Sequence, residues 1–173
     1  NYSVIGGGRN NQASGLSSVV SGGEGNIASG TGSQIGGGTN NTASQTGAAI
    51  GGGNSNTASG SRSGVFSGNT NTAFGQTSFV GGGSSNVANN LSAVVTGGDN
   101  NTGSGTQSFV GSGTSNTASG VKSVVVGGNI NTASGQTSFV GSGLNNEASG
   151  LSSAIVAGEN NRATNPRAFV GTG

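Results

Sequence analysis

Apolar and small side chains return at fixed places along this chain, with a period of 15 residues. Counted in blocks from Ser3, the third position is always Val or Ile, and the eleventh is Ala in ten of the eleven complete blocks. Side chains alternate across a β-strand, so these two positions predict the inward-facing residues of two short strands in each block. Val facing Ala leaves little space between the strands, which indicates a thin, flat coil.

The blocks align along the whole chain without an insertion or a deletion. Position 6 is Gly in all twelve blocks, and position 9 is Asn in all eleven complete ones. So strict a period indicates that each block occupies an equivalent place in a stack, as in solenoid proteins. The sequence therefore predicts one all-β domain over residues 1–173: a single-chain parallel β-roll or β-solenoid with eleven full repeats (3–167) and a partial repeat (168–173).

Positions 1 to 5 and 9 to 13 predict the two strands of each coil. Gly at position 6, and usually at position 13, predicts the chain reversals, because glycine reaches positive φ without penalty. The Asn at position 9 has two interpretations, a left-handed backbone or hydrogen bonds to its copies in neighbouring coils, and both are structural. This predicted structural Asn row consists of Asn11, Asn26, Asn41, Asn56, Asn71, Asn86, Asn101, Asn116, Asn131, Asn146 and Asn161.

The outward side of the first strand carries large apolar residues at alternate coils. Phe occupies position 2 in four blocks that have Gly at position 4, and the order is swapped at Gly64 and Phe66. An apolar strip of this kind normally marks an association surface. The predicted subunit interface consists of Phe66, Phe79, Phe109, Phe139, Phe169, Val94 and Val124.

Composition argues against several classes of function. The chain has no His and no Cys, five basic and four acidic residues, and a net charge of +1. Imidazole and thiolate chemistry are thereby excluded, the scattered basic residues do not favour nucleic-acid binding, and no stretch is long and apolar enough to insert into a membrane. The acids are too dispersed for a carboxylate pair, so we expect no enzyme, catalytic residue, metal or cofactor.

The repeats resemble the head repeats of YadA-type trimeric autotransporter adhesins. The resemblance is carried by Asn-Thr-Ala-Ser-Gly at 116–120 followed by Ser-Val-Val-Val-Gly-Gly at 123–128, and it recurs over essentially the whole chain. It implies a left-handed parallel β-roll, packed as a homotrimer with apolar rows toward the axis, and a role in attachment to a host surface or another cell. Similar repeats also occur in phage tail fibres.

The resemblance implies an extracellular adhesive or structural fibre module, on a cell or virion surface, with itself and an unknown extracellular or host-surface ligand as partners. The chain starts without Met and stops within a repeat, so we expect a fragment of a longer protein. An alternative function is ice binding through outward Thr and Ser rows, which resemble those of ice-binding β-solenoids. That predicted ice or ligand face consists of Thr42, Ser44, Thr57, Ser59, Thr102, Ser104, Thr117, Ser119, Thr132 and Ser134.

Overall fold

The protein is a parallel β-solenoid of about eleven coils with no helix, as seen in a computed structural model that describes residues 2–173. Each coil contributes one two-residue strand to a 12-stranded sheet and one to an 11-stranded sheet. We call these the front sheet and the back sheet. Every strand pairs in parallel with the strand 15 residues before or after it, for example Val94 with Phe109, so the predicted fold class and period are confirmed.

The front sheet contains the odd-numbered strands and the back sheet the even-numbered ones. The strands are β1 (Val4–Ile5), β2 (Gln12–Ala13), β3 (Val19–Val20), β4 (Ile27–Ala28), β5 (Gln34–Ile35), β6 (Thr42–Ala43), β7 (Ala49–Ile50), β8 (Thr57–Ala58), β9 (Gly64–Val65), β10 (Thr72–Ala73), β11 (Phe79–Val80), β12 (Val87–Ala88), β13 (Val94–Val95), β14 (Thr102–Gly103), β15 (Phe109–Val110), β16 (Thr117–Ala118), β17 (Val124–Val125), β18 (Thr132–Ala133), β19 (Phe139–Val140), β20 (Glu147–Ala148), β21 (Ala154–Ile155), β22 (Arg162–Ala163) and β23 (Phe169–Val170).

The strands are shorter than the sequence predicts. They cover only positions 2–3 and 10–11 of each repeat, because the chain turns in the segments between them. A third column of single-residue parallel bridges runs along position 7, from Arg9 to Glu159. Three hydrogen-bonded columns therefore join each coil to its neighbours, and the backbone carries much of the stacking.

The interior is formed by two facing rows of small apolar side chains. Val or Ile at position 3 packs with Ala at position 11, and both rows are almost fully buried in all but the terminal coils. Ser or Ala at position 1 and Asn at position 9 complete the interior. Seven of the buried Ser hydroxyls have no hydrogen-bond partner: Ser18, Ser33, Ser78, Ser108, Ser123, Ser138 and Ser153.

The turns differ from the prediction at one of the two glycine positions. Gly at position 6 has positive φ, such as 92° at Gly8, as predicted. Gly at position 13 does not have positive φ. Glycine is needed there for space, because a Cβ on Gly105 would lie 2.0 Å from the carbonyl oxygen of Gly120 in the next coil. The other left-handed residues are at positions 8 and 15, where side chains as large as Ile130 and Lys122 adopt φ of 58°.

Candidate functional site: two outer faces and a buried asparagine row

The first candidate surface is the outward side of the front sheet over residues 64–171, which we call the apolar face. The register of the sheet brings most of the predicted interface residues into one column, in which Phe79, Val94, Phe109, Val124 and Phe139 are successive partners. Phe66 lies outside this column, because it occupies position 4 and the partner of Phe79 in its coil is Gly64. The column ends at Phe169, which pairs with Ala154. The predicted interface residues therefore form a continuous surface along more than half of the solenoid.

Two rings of the apolar face lie beside the glycines of their own coils, whereas the ring of Phe79 lies beside Gly64 of the preceding coil. A Cβ built on Gly111 would lie 3.5 Å from Phe109 Cε1, and one built on Gly141 would lie 3.4 Å from Phe139 Cε1. These are ordinary contact distances for the rings. The position-4 glycines are required by the next coil, because a Cβ on Gly111 would lie 2.2 Å from the carbonyl oxygen of Val126, and one on Gly141 would lie 2.3 Å from that of Val156.

Much of the apolar face is open to solvent. Phe66 and Phe169 expose 69% and 70% of their surface, and Phe79 and Phe109 expose 42% and 36%. Val126 and Val156, at position 4 in coils that lack Phe, are also exposed and extend the face. The predicted interface did not name these two residues; the signal that could have found them is their place two residues after Val124 and Ala154, on the same side of the chain.

The position-9 asparagines form a second column, inside the solenoid. The backbone N–H of Asn116 donates to Asn101 Oδ1 (2.9 Å), while Asn101 Nδ2 donates to the carbonyls of Gly97 (3.0 Å) and Gly113 (2.8 Å). The same contacts recur from Asn11 to Asn161, and none of these residues has positive φ. Each side-chain amide thus links its own turn to the following coil, and the backbone N–H of the same residue donates to the amide of the preceding coil, as from Asn101 to Asn86 Oδ1 (2.9 Å). The side chains between the terminal coils are inaccessible to a ligand.

The second outer surface is the outward side of the back sheet at positions 10 and 12, which we call the hydroxyl face. Thr42, Thr57 and Thr72 are successive partners in it, and so are Thr102, Thr117 and Thr132. The predicted Ser residues accompany them at position 12. The two Thr runs are separated by Val87, and Phe74 projects beside it with 59% of its surface exposed.

Cavities and clusters of metal-ligating side chains are the remaining kinds of site to consider. Residues 2–173 contain no cavity and no group of three or more His, Cys, Asp or Glu residues able to hold a metal ion. Two ion pairs bridge neighbouring coils, one between Arg9 and Glu24 and one between Arg162 and Glu147 (3.0 Å). In the same part of the chain no helix is present that could cross a membrane.

Comparison with protein-family models found no match for this chain. A search of curated proteins found no similar sequence either. The fold therefore defines the class, a parallel β-solenoid protein of 15-residue coils, and the function is argued from its surfaces.

Proposed function

We propose that this chain is an adhesive or structural module of an extracellular fibre, in which three copies pack as left-handed β-rolls with their apolar faces toward a common axis. The observation that carries the proposal is the apolar face itself, an unbroken column of Phe and Val from Phe79 to Phe139 with the exposed side chains of Phe66, Val126 and Val156 beside it. Monomeric proteins rarely expose contiguous apolar surface of this extent. The resemblance to trimeric adhesin head repeats supports three copies and an attachment role on a cell or virion surface.

The test of assembly is to remove aromatic side chains from the centre of the face. Phe109 exposes about a third of its surface in the single chain, so burying the remainder contributes about 0.5–1 kcal/mol. The double variant Phe109→Ser/Phe139→Ser should therefore weaken a trimer by about 3–6 kcal/mol in total, summed over six side chains. Sedimentation equilibrium measures this change directly.

Phe74→Ser is the matched control, because Phe74 is an exposed Phe on the hydroxyl face and faces away from the proposed axis. It should leave the association constant unchanged. A parental protein that remains monomeric at all accessible concentrations would contradict the proposal.

Attachment is tested separately from assembly. Beads coated with the parental protein should adhere to a panel of extracellular matrix proteins and cell-surface glycans, and beads coated with Phe109→Ser/Phe139→Ser should adhere less. Contacts spread over many equivalent coils predict that no single exposed substitution abolishes adhesion. Turnover of a substrate by the purified protein would contradict an attachment role.

Ice binding is a second candidate, favoured by the register of the hydroxyl face. Three Thr residues in successive coils, such as Thr102, Thr117 and Thr132, repeat at about 4.8 Å along the stack. Ile27, Phe74, Val87, Asn89, Glu147 and Arg162 interrupt the array. Ice-crystal shaping by the parental protein, lost in Thr117→Lys, would favour this function over attachment; unshaped crystals would exclude it.

A further inference from the structure

The charged residues that make no ion pair are segregated on opposite edges of the solenoid. Of the five basic residues, Arg9 and Arg162 are paired with acids in neighbouring coils. The other three, Arg62, Lys122 and Arg167, all occupy position 15. Within residues 2–173 none of these three lies in an ion pair, and all three are exposed.

The two remaining acids, Asp99 and Glu159, both occupy position 7 and are exposed. Positions 4–8 connect the front sheet to the back sheet, whereas positions 12–15 return the chain to the front sheet of the next coil. These two connections lie on opposite sides of each coil. We call them the acidic edge, which carries Asp99 and Glu159, and the cationic edge, which carries Arg62, Lys122 and Arg167.

A cyclic assembly of parallel copies brings unlike edges together. When each copy directs its front sheet to a common axis, the acidic edge of one copy must lie beside the cationic edge of the next, since a ring repeats one head-to-tail contact. Opposite charges at these edges favour this arrangement, and charge of the same sign on both edges would oppose it.

Closure of a ring of identical parallel copies requires the copies to be in register, and this fixes the heights at which their charges meet. Glu159 and Arg167 belong to one coil, so they differ in height by about half of the ~4.8 Å coil spacing. Asp99 and Lys122 are about one and a half coils apart, or ~7 Å, which the long Lys side chain can span. In the same arrangement Arg62 lies at the height of Asn54 and Asn69 on the edge of the neighbouring copy. These two residues occupy position 7, and their side-chain amides are neutral hydrogen-bond acceptors.

We infer that the partner of the cationic edge is the acidic edge of a second copy of this chain, with Arg167 paired to Glu159 and Lys122 paired to Asp99 of the neighbouring copy. The inference rests on the proposed trimer and adds the contact between the edges of neighbouring copies. Exposed ion pairs contribute little to affinity individually. Their expected role is therefore to favour parallel neighbours, whose unlike edges meet, over antiparallel neighbours, whose like edges would meet.

The test is a charge swap in the full chain, followed by sedimentation equilibrium at low salt. Glu159→Arg and Arg167→Glu, each alone, place like charges across every contact of the ring and should lower the trimer association constant about 10- to 100-fold. The double variant Glu159→Arg/Arg167→Glu restores opposite charges and should recover parental association. At about 1 M salt all variants should converge, because the screening length falls to about 3 Å.

Ser119→Arg is the control for added charge, since Ser119 is exposed on the hydroxyl face and belongs to neither edge; it should leave the association constant near the parental value. If the parental protein is a trimer and both single variants associate as tightly, the edge pairing is wrong while the proposed assembly stands. Single variants that weaken association without recovery in the double variant also overturn the pairing. A parental protein that is only monomeric overturns both the pairing and the assembly.

Discussion

Replacing one buried amide by its isosteric acid tests whether the position-9 column holds the coils together. Asn101→Asp keeps the shape of the side chain and the acceptor for the N–H of Asn116. It removes both Nδ2 donors, to Gly97 and Gly113, and directs a carboxylate oxygen at those two carbonyls. Asn101 is fully buried, so the new charge has little access to water.

The two lost hydrogen bonds cost about 1 kcal/mol each, and a buried charge without a partner raises the total to about 3–5 kcal/mol. Burial and the two carbonyls raise the pKa of the introduced carboxyl above its unfolded value. A raised folded pKa means that the variant is least destabilised at low pH and loses stability as the pH rises through that pKa.

The assay is thermal or urea unfolding followed by circular dichroism at pH 4 and pH 7. Asn100→Asp is the matched control, because Asn100 is the adjacent residue, is exposed and makes no such column. We expect Asn101→Asp to be destabilised by several kcal/mol relative to Asn100→Asp at pH 7, with a smaller gap at pH 4. Equal stability of the two variants at pH 7 would refute the structural role of the amide column.

Further predictions concern one coil and its neighbours. Gly103→Ala should stabilise the protein by about 0.5–1 kcal/mol in urea unfolding, because every other complete repeat has Ala at this position. The nearest contact of the new Cβ, 3.3 Å from Ser108 Oγ, can be relieved by rotation of the hydroxyl. Gly105→Ala, two residues later, should have the opposite sign and cost about 1–3 kcal/mol in the same assay, because its Cβ would meet the Gly120 carbonyl at 2.0 Å. Ser108→Ala should be neutral or stabilising in thermal melts, since it removes a buried hydroxyl without a partner and Ala93 is the residue at this position in the preceding coil; a loss of more than about 1 kcal/mol would show that the hydroxyl is paired in solution.

The repeat made the stacking predictable, because a fixed period with Val at position 3 and Ala at position 11 admits one arrangement of inside and outside. The extent of the strands was not predictable. Positions 4 and 5 follow the Val or Ile of position 3 and were included in the predicted strand. In the structure the strand ends at position 3, and the chain turns at positions 4 and 5 to reach the bridge column at position 7. Pairing between coils, which no local pattern reports, decides where extension ends.

The glycine at position 13 shows why the correct residue can be predicted for the wrong reason. Sequence alone associates Gly with positive φ, whereas Gly105 is needed for space beside the next coil. Conversely, Lys122 and Ile130 adopt left-handed backbone with no glycine to signal it. In the apolar face, the Phe and Gly pattern predicted the column; Val126 and Val156 occupy the repeat position of Phe66, yet the predicted interface did not name them.

The inside and the outside of this solenoid have different repeat lengths. The buried columns return every 15 residues, whereas Phe on the apolar face returns every 30, as from Phe79 to Phe109. Excision of residues 93–107 would leave the interior continuous but stack Phe79 directly on Phe109; excision of 93–122 would preserve both patterns. The buried columns therefore tolerate a change of length by one coil, whereas the Phe spacing of the apolar face is kept only when the length changes by two coils.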